Sequence, residues 1–260
     1  MRILLSNDDG ILAPGLAALR RAVADLGDCL VVAPDSPQSA AGHSITVRAP
    51  LTVRQVRVED GPEPFFTGLC VDGRPADCVR LAVRKLLAAP VDLVLSGINA
   101  GANVGINVFY SGTVAAAAEA AMLGLPAVAF SAAVTADPVD FARIARLCRF
   151  VLDGLLAWGL SGGQLVNVNI PALTPGLPRG IRVVPQSTAG VEDFYHRQEH
   201  PQGLESYKLG DKFNFSPALG PTDVGCLEEG YITVTPLKVD MTDRAGLSAL
   251  AEWTWPTLPA

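Results

Sequence analysis

Ile3-Leu4-Leu5 is a short apolar run that stops at the polar turn Asn7-Asp8-Asp9-Gly10, the pattern of a buried strand in a parallel sheet. Pro14 opens a stretch to Gly27 whose apolar positions recur at helical spacing, with the glycine placed to cap it. Cys29-Leu30-Val31-Val32-Ala33 follows as a second strand, stopped by Pro34. Strand, helix and strand in such a short stretch make a βαβ unit, for which a right-handed crossover is expected.

The alternation continues. Periodicity predicts helices over 76–87 and 111–123 and strands over 92–96 and 126–131, and repeated alternation of this kind means an α/β fold with a mostly parallel sheet flanked by helices. Between these, 45–58 alternates well enough for one or two strands of a hairpin. Residues 141–158 read as a longer amphipathic helix, and 165–170 and 231–235 as further strands. From 186 to 224 the character turns polar and aromatic, as in Asp193-Phe194-Tyr195-His196 and Asp211-Lys212-Phe213-Asn214-Phe215. We read a single domain with an α/β core over about 1–185 and a C-terminal extension over 186–260, an arm suited to subunit contact.

Composition sharpens this. The 260 residues are 49% hydrophobic and only 18% charged, against a typical charged share of about 25%, which suits elements buried on both faces. With Lys+Arg 20 and Asp+Glu 26, the net charge of −6 argues against a nucleic-acid partner. The stretch 113–134 is nearly free of charge and long enough to span a bilayer, but Glu119, Gly124, Pro126 and its many alanines favour a buried helix followed by a strand, and no membrane association is expected. Five cysteines without C-x-x-C spacing read as reduced, buried thiols. The three apolar residues after Arg2 are too few for a signal-peptide core, so a cytoplasmic location is expected.

In an open parallel sheet, ligands bind beyond the carboxyl ends of the strands. The turns there are rich in oxygen donors: Asn7, Asp8 and Asp9 after the first strand, Asp35, Ser36, Gln38 and Ser39 after the second, and Ser96, Asn99 and Asn103 further on. Adjacent carboxylates at a buried strand end repel unless a cation lies between them, and no Lys or Arg lies in 7–12. A hard divalent ion is the simplest partner, and oxygen-only donors suit Mg²⁺ or Mn²⁺ over zinc. The competing account is that Asp8 and Asp9 cap the next helix and satisfy a turn. Ser111, Gly112 and Thr113 begin an alanine-rich helix, where free N–H groups and hydroxyls form an anion site suited to phosphate, or else an ordinary N-cap.

Other chemistries find no support. Gly97, Gly101 and Gly105 do not spell G-x-G-x-x-G, and there is no Walker A lysine and no G-x-S-x-G. His196 and His200 have a spacing that can hold zinc on a helix, but H-E-x-x-H order is absent and surface histidines explain them better. His43, in Ser39-Ala40-Ala41-Gly42-His43-Ser44, is either a donor or proton carrier for a substrate, or a loop residue satisfying its own backbone.

Ser6-Asn7-Asp8-Asp9-Gly10, the loop from Ala33-Pro34-Asp35 to Ser44, Ser96-Gly97-Ile98-Asn99-Ala100-Gly101-Ala102-Asn103 and Tyr110-Ser111-Gly112-Thr113-Val114 together closely resemble the SurE family, with further matches at Thr222-Asp223 and from Gly230-Tyr231 to Pro236-Leu237. The resemblance implies a Rossmann-like core and a metal-dependent nucleotidase acting on nucleoside 5′-monophosphates, with 3′-monophosphates and short polyphosphate left open. It implies one divalent ion per subunit, Mn²⁺ or Mg²⁺, on Asp8, Asp9, Ser39 and Asn99, and an arm exchanged within a homodimer or homotetramer. Asn107 departs from the aspartate that relatives often carry there. On this reading Asn99, Ser111, Gly112 and Thr113 hold the phosphate, and Asp8 or Asp9 takes the proton of the attacking water. A covalent aspartyl-phosphate route and a nucleotide-binding sensor without turnover stand as alternatives.

Overall fold

The computed structural model describes residues 1–60, 63–134, 138–173, 176–189, 191–192, 195–199, 204–210, 214–215 and 220–256. The chain runs β1 (Arg2–Ser6), α1 (Pro14–Val23), β2 (Asp28–Pro34), β3 (Val53–Asp60), β4 (Glu63–Val71), α2 (Pro75–Leu81), β5 (Leu93–Ala100), α3 (Gly112–Met122), β6 (Ala127–Ala132), α4 (Phe141–Trp158) and β7 (Leu165–Ile170). The remainder comprises β8 (Ile181–Val183), β9 (Val191–Glu192), β10 (Tyr195–Glu199), β11 (Glu205–Leu209), β12 (Asn214–Phe215), α5 (Asp223–Glu228), β13 (Ile232–Leu237) and α6 (Arg244–Glu252).

Nine strands form one twisted sheet in the order β3-β4-β2-β1-β5-β6-β7-β13-β8. The five strands from β2 to β7 are parallel, as is β4 on β2, while β3 and β13 pair antiparallel with β4 and β7. Alternate residues of each central strand enter opposite cores. Ile3, Leu5, Leu95 and Phe130 pack with Leu16, Leu19 and Leu152 of α1 and α4. Leu4, Val94 and Ala129 pack with Cys78 and Val79 of α2 and with Ala116, Ala117 and Ala120 of α3. Each fully buried Leu or Phe contributes roughly 1.5–3 kcal/mol. The alanines of α3 present little bulk, and so let that helix lie close on the sheet.

After β1 the chain crosses toward β2, and after β5 it crosses toward β6 in the opposite direction, although β1 and β5 are neighbours. This reversal opens a crevice at the carboxyl ends of β1 and β5, where α/β sheets bind ligands. The end of β5 carries an irregularity between Ser96 and Asn99. There Gly97, at φ +131, lies so near β6 that a Cβ would sit 2.2 Å from the Phe130 carbonyl oxygen.

The alternating stretch 45–58 is a strand only from Val53. Its first half is irregular, because the Thr46 N–H and hydroxyl both donate to the buried Asp77 carboxylate, at 2.9 and 2.7 Å, instead of to a neighbouring strand. The hairpin partner is β4. The helix expected over 76–87 is α-helical to Leu81 and then π-helical over Ala82–Leu86. The stretch 113–134 is a buried helix and a strand, and among the described residues no helix is long and apolar enough to cross a membrane. All five cysteines are free thiols. In the extension, β10 pairs with β11 and β9 with β12, apart from the main sheet. Asp193, Phe194, His200 and Asp211, Lys212, Phe213 lie outside the described residues; His196 lies on a strand.

Candidate active site

Asp8 and Asp9 follow β1 after the single residue Asn7, at the crevice. Asp8 is 7% exposed and Asp9 half-buried. Asp8 receives the Thr113 hydroxyl proton in a short hydrogen bond, and the N–H groups of Gly112 and Thr113 also act on it. The first turn of α3 is therefore aimed at a carboxylate, in the electrostatic sense the helix dipole favours. The approach requires a glycine: a Cβ at position 112 would lie 2.6 Å from Asp8 Cβ and 3.0 Å from Pro75 Cγ.

Even so, burial pushes the Asp8 carboxyl above its usual value, against the opposing hydrogen bonds. Burial, and then the charge of Asp8, push Asp9 up to about 6, with the Ala100 N–H partly compensating. Among the described residues, the groups that shift either carboxyl include no lysine or arginine. Two carboxylates held together without a cationic side chain fit a metal ion. No cluster of three or more His, Cys, Asp or Glu that could hold a metal ion occurs among the described residues.

Two neutral side-chain oxygens belong to segments bonded to this turn, through the Ala100 N–H on Asp9 and the Gln38 N–H on the Asp8 carbonyl. The Asn99 amide donates through Nδ2 to the Gly101 carbonyl at 2.7 Å, which leaves Oδ1 as its free donor atom. Ser39 is exposed, and its neighbour Gln38 is hydrogen-bonded by its N–H to the Asp8 carbonyl at 2.7 Å, so the Ser39 loop abuts the β1 turn. The structure thus brings the β1 turn, the end of β5, the start of α3 and the Ser39 loop to one edge.

Ser111 caps α3, its Oγ accepting the Val114 N–H at 3.1 Å. An accepting hydroxyl keeps its own proton for a ligand. Beside it opens a cleft of about 540 Å³ whose lining includes His43, Phe109, Met122, Gln186 and Met241. Asn103, a donor by sequence position, is otherwise engaged. Its N–H and Nδ2 bond Asn169 and Ser131, and its carbonyl accepts from Asn167 and Asn169, so it fastens the loop after β5 to β6 and β7.

Asp223 and Glu119 are buried acids whose contacts the sequence does not show. Asp223, fully buried, accepts the N–H groups of Gly105, Ser187 and Val224 at 2.8–2.9 Å and ties the glycine-rich loop to the C-terminal segment. Glu119 is 1% exposed on α3 and pairs with His43 at 2.9 Å and Arg80 at 2.8 Å. Burial raises its pKa, but His43 and Arg80 outweigh that and hold the carboxyl below its usual value. A carboxylate in an alanine run was the visible signal; its partners, distant in sequence, were not.

The family model described as Survival protein SurE matches residues 3–193. The 5′-nucleotidase SurE of Desulforudis audaxviator is 43% identical over 258 residues, covering 97% of both chains. The 5′-nucleotidase SurE 1 of Thermus thermophilus is 43% identical over 252 residues, covering 96% of this chain and 97% of its own. Among solved structures, the SurE protein of Aquifex aeolicus superposes with a TM-score of 0.79 at 37% identity, covering 97% of this chain and all of its own. Fold and sequence agree along almost the whole length: the chain belongs to the SurE family.

Proposed function

We propose that this protein is a 5′-nucleotidase, hydrolysing nucleoside 5′-monophosphates to nucleoside and phosphate with one divalent cation, Mn²⁺ or Mg²⁺, per subunit. The observation that carries the reading is the Asp8–Asp9 pair at the sheet's reversal point, braced by α3 and without a basic partner. Asp8, Asp9, Ser39 and Asn99 would hold the ion. When bound, it offsets negative charge on the phosphate oxygens as the P–O bond breaks.

The chain's own groups divide the rest. Ser111, its proton free to donate, holds one phosphate oxygen, and Asn99 holds another. Thr113 and Gly112 serve the phosphate through Asp8, whose carboxylate they orient. Asp8 is thereby committed to hydrogen bonds. The more exposed Asp9 takes the proton of the attacking water, and the departing 5′ oxygen is protonated from solvent.

The relatives named above carry the words 5′-nucleotidase, and phosphate release from a panel of substrates tests whether this chain shares that activity. We expect release from nucleoside 5′-monophosphates with Mn²⁺ or Mg²⁺ and none with EDTA. Release from 3′-monophosphates or short polyphosphate in the same panel would widen the substrate class. Metal-dependent nucleotide binding without release would leave a sensor.

The reading extends to assembly. The helix α6 buries none of its residues, and Leu247, Leu250, Trp253 and Trp255 stand exposed along it and just beyond. A trough of about 640 Å³, lined by Leu155, Trp158, Val166, Val183, Val234 and Leu237, lies open over β7, β13 and β8. We assign these apolar surfaces to a homodimer or homotetramer joined through the C-terminal segment. Light scattering should give at least a dimer, and a monomer at micromolar concentration would refute this. Five unpaired thiols suit the reducing cytoplasm.

A further inference from the structure

We propose that His43 and Glu119 form a latch that sets the Ser39 loop in its ion-binding position, so that His43 is a positioning residue and not a proton donor. The proposal rests on the assignment of Ser39 to the cation.

Ser39 lies in a long irregular connection between β2 and β3. Its successor Ala40 has φ +55, a left-handed conformation that an L-residue with a Cβ adopts only when its surroundings impose it. The surroundings do so from both sides. Before Ser39, the Gln38 N–H donates to the Asp8 carbonyl at 2.7 Å. After it, the Gly42 N–H donates to the Tyr110 carbonyl at 3.0 Å, and His43 Nε2 meets Glu119 Oε2 at 2.9 Å. Each of these anchors leads to an element already at the site: the β1 turn, the residue before Ser111, and α3.

Glu119 interrupts the alanine run of α3 with a buried charge, which is costly unless paired, and its partners come from α2 and from the Ser39 loop. What the carboxylate adds is a fixed partner for the loop, with Arg80 as its second counter-charge. Glu119 lies six residues along α3 from Thr113, which touches Asp8, about 9 Å at 1.5 Å per residue. His43 Nε2 faces that carboxylate at 2.9 Å, so on this proposal it acts on the reaction through Ser39.

The test is Mn²⁺ binding to the metal-free protein, with free Mn²⁺ followed by electron paramagnetic resonance, beside kcat measured across Mn²⁺ concentrations. His43→Ala should weaken binding roughly tenfold or more, as loss of a group that orients a metal ligand does. At saturating Mn²⁺ its kcat should return close to wild type. His43→Gln, whose amide N–H can still reach Glu119, should keep most of the affinity; it also supplies a folded variant if the alanine form is unstable. Wild-type Mn²⁺ affinity in His43→Ala overturns the latch, and so does a kcat that stays low at saturation, which would place His43 in the chemistry. Asp8→Asn separates the two claims: if it binds Mn²⁺ like wild type, the cation assignment itself falls, and the latch with it.

Discussion

Thr113, in the first turn of α3, donates its hydroxyl proton to the carboxylate of Asp8 at the end of β1, joining residues 105 positions apart. Two consequences meet in this bond. It anchors the helix start to the sheet edge, and it fixes which way a buried carboxylate faces. Thr113→Val, close to the same shape, should leave the fold intact and lower divalent-metal affinity by roughly 10–100-fold, with Thr113→Ser recovering most of it. Calorimetric titration of Mn²⁺ into the three metal-free proteins would measure this.

Gly112→Ala tests the closeness of that approach. The new methyl would meet Asp8 Cβ at 2.6 Å and Pro75 Cγ at 3.0 Å, and neither is the loose end of a flexible side chain. We expect a loss of about 1–3 kcal/mol in urea unfolding, the usual cost of overpacking, with phosphate release falling much further than stability because Asp8 is displaced.

Asp223 is a structural counterpart. Its carboxylate satisfies the N–H groups of Gly105, Ser187 and Val224 in a fully buried setting. Asp223→Ala strands all three donors, and at about 1–3 kcal/mol for each buried unsatisfied group it should be the most destabilising of these substitutions in denaturant titration. Asp223→Asn keeps one acceptor oxygen and should lose less.

The carboxylate pair also sets a pH dependence. Folding raises Asp9 from 3.8 to about 6, so between those values the folded protein binds more protons than the unfolded chain. Its contribution to stability is therefore present below pH 3.8 and lost as pH rises through about 6. The full displacement corresponds to about 3 kcal/mol, and screening of a half-exposed carboxylate reduces this to on the order of 1 kcal/mol. Thermal melts of metal-free wild type and Asp9→Asn from pH 4 to 7 should converge at the acid end and separate above it, the mutant being the more stable. Mn²⁺ affinity of the wild type should fall below pH about 6, where the ion competes with the Asp9 proton.

The central elements and the Asp8–Asp9 turn could be read from the chain because both follow local rules. Strands β1, β2, β5 and β6 each contain a continuous apolar run and β7 alternates Leu165, Val166, Val168 and Ile170 with asparagines, and polar residues just after a buried strand mark the ligand edge. The hairpin partner β4 escaped because Pro64 and Gly68 interrupt its alternation, and the irregular 45–52 stretch looked like a strand because Thr46 is bound by a residue 31 positions away. The helix α6 hides for a different reason: none of its residues is buried among the described residues. Asp223 and the His43–Glu119 pair depend on contacts across 118 and 76 positions, and no local periodicity encodes those. Thr113 illustrates the limit, since its place at the start of α3 was legible and its commitment to Asp8 was not.

The most direct test of the cation site is a titration of Mn²⁺ into metal-free wild type and Asp9→Asn, following melting temperature and phosphate release from a nucleoside 5′-monophosphate together. The account predicts that wild type gains stability and activity over the same Mn²⁺ range, while Asp9→Asn starts more stable, gains little and releases no phosphate. Phosphate release by the metal-free wild type, or wild-type turnover by Asp9→Asn, would contradict it.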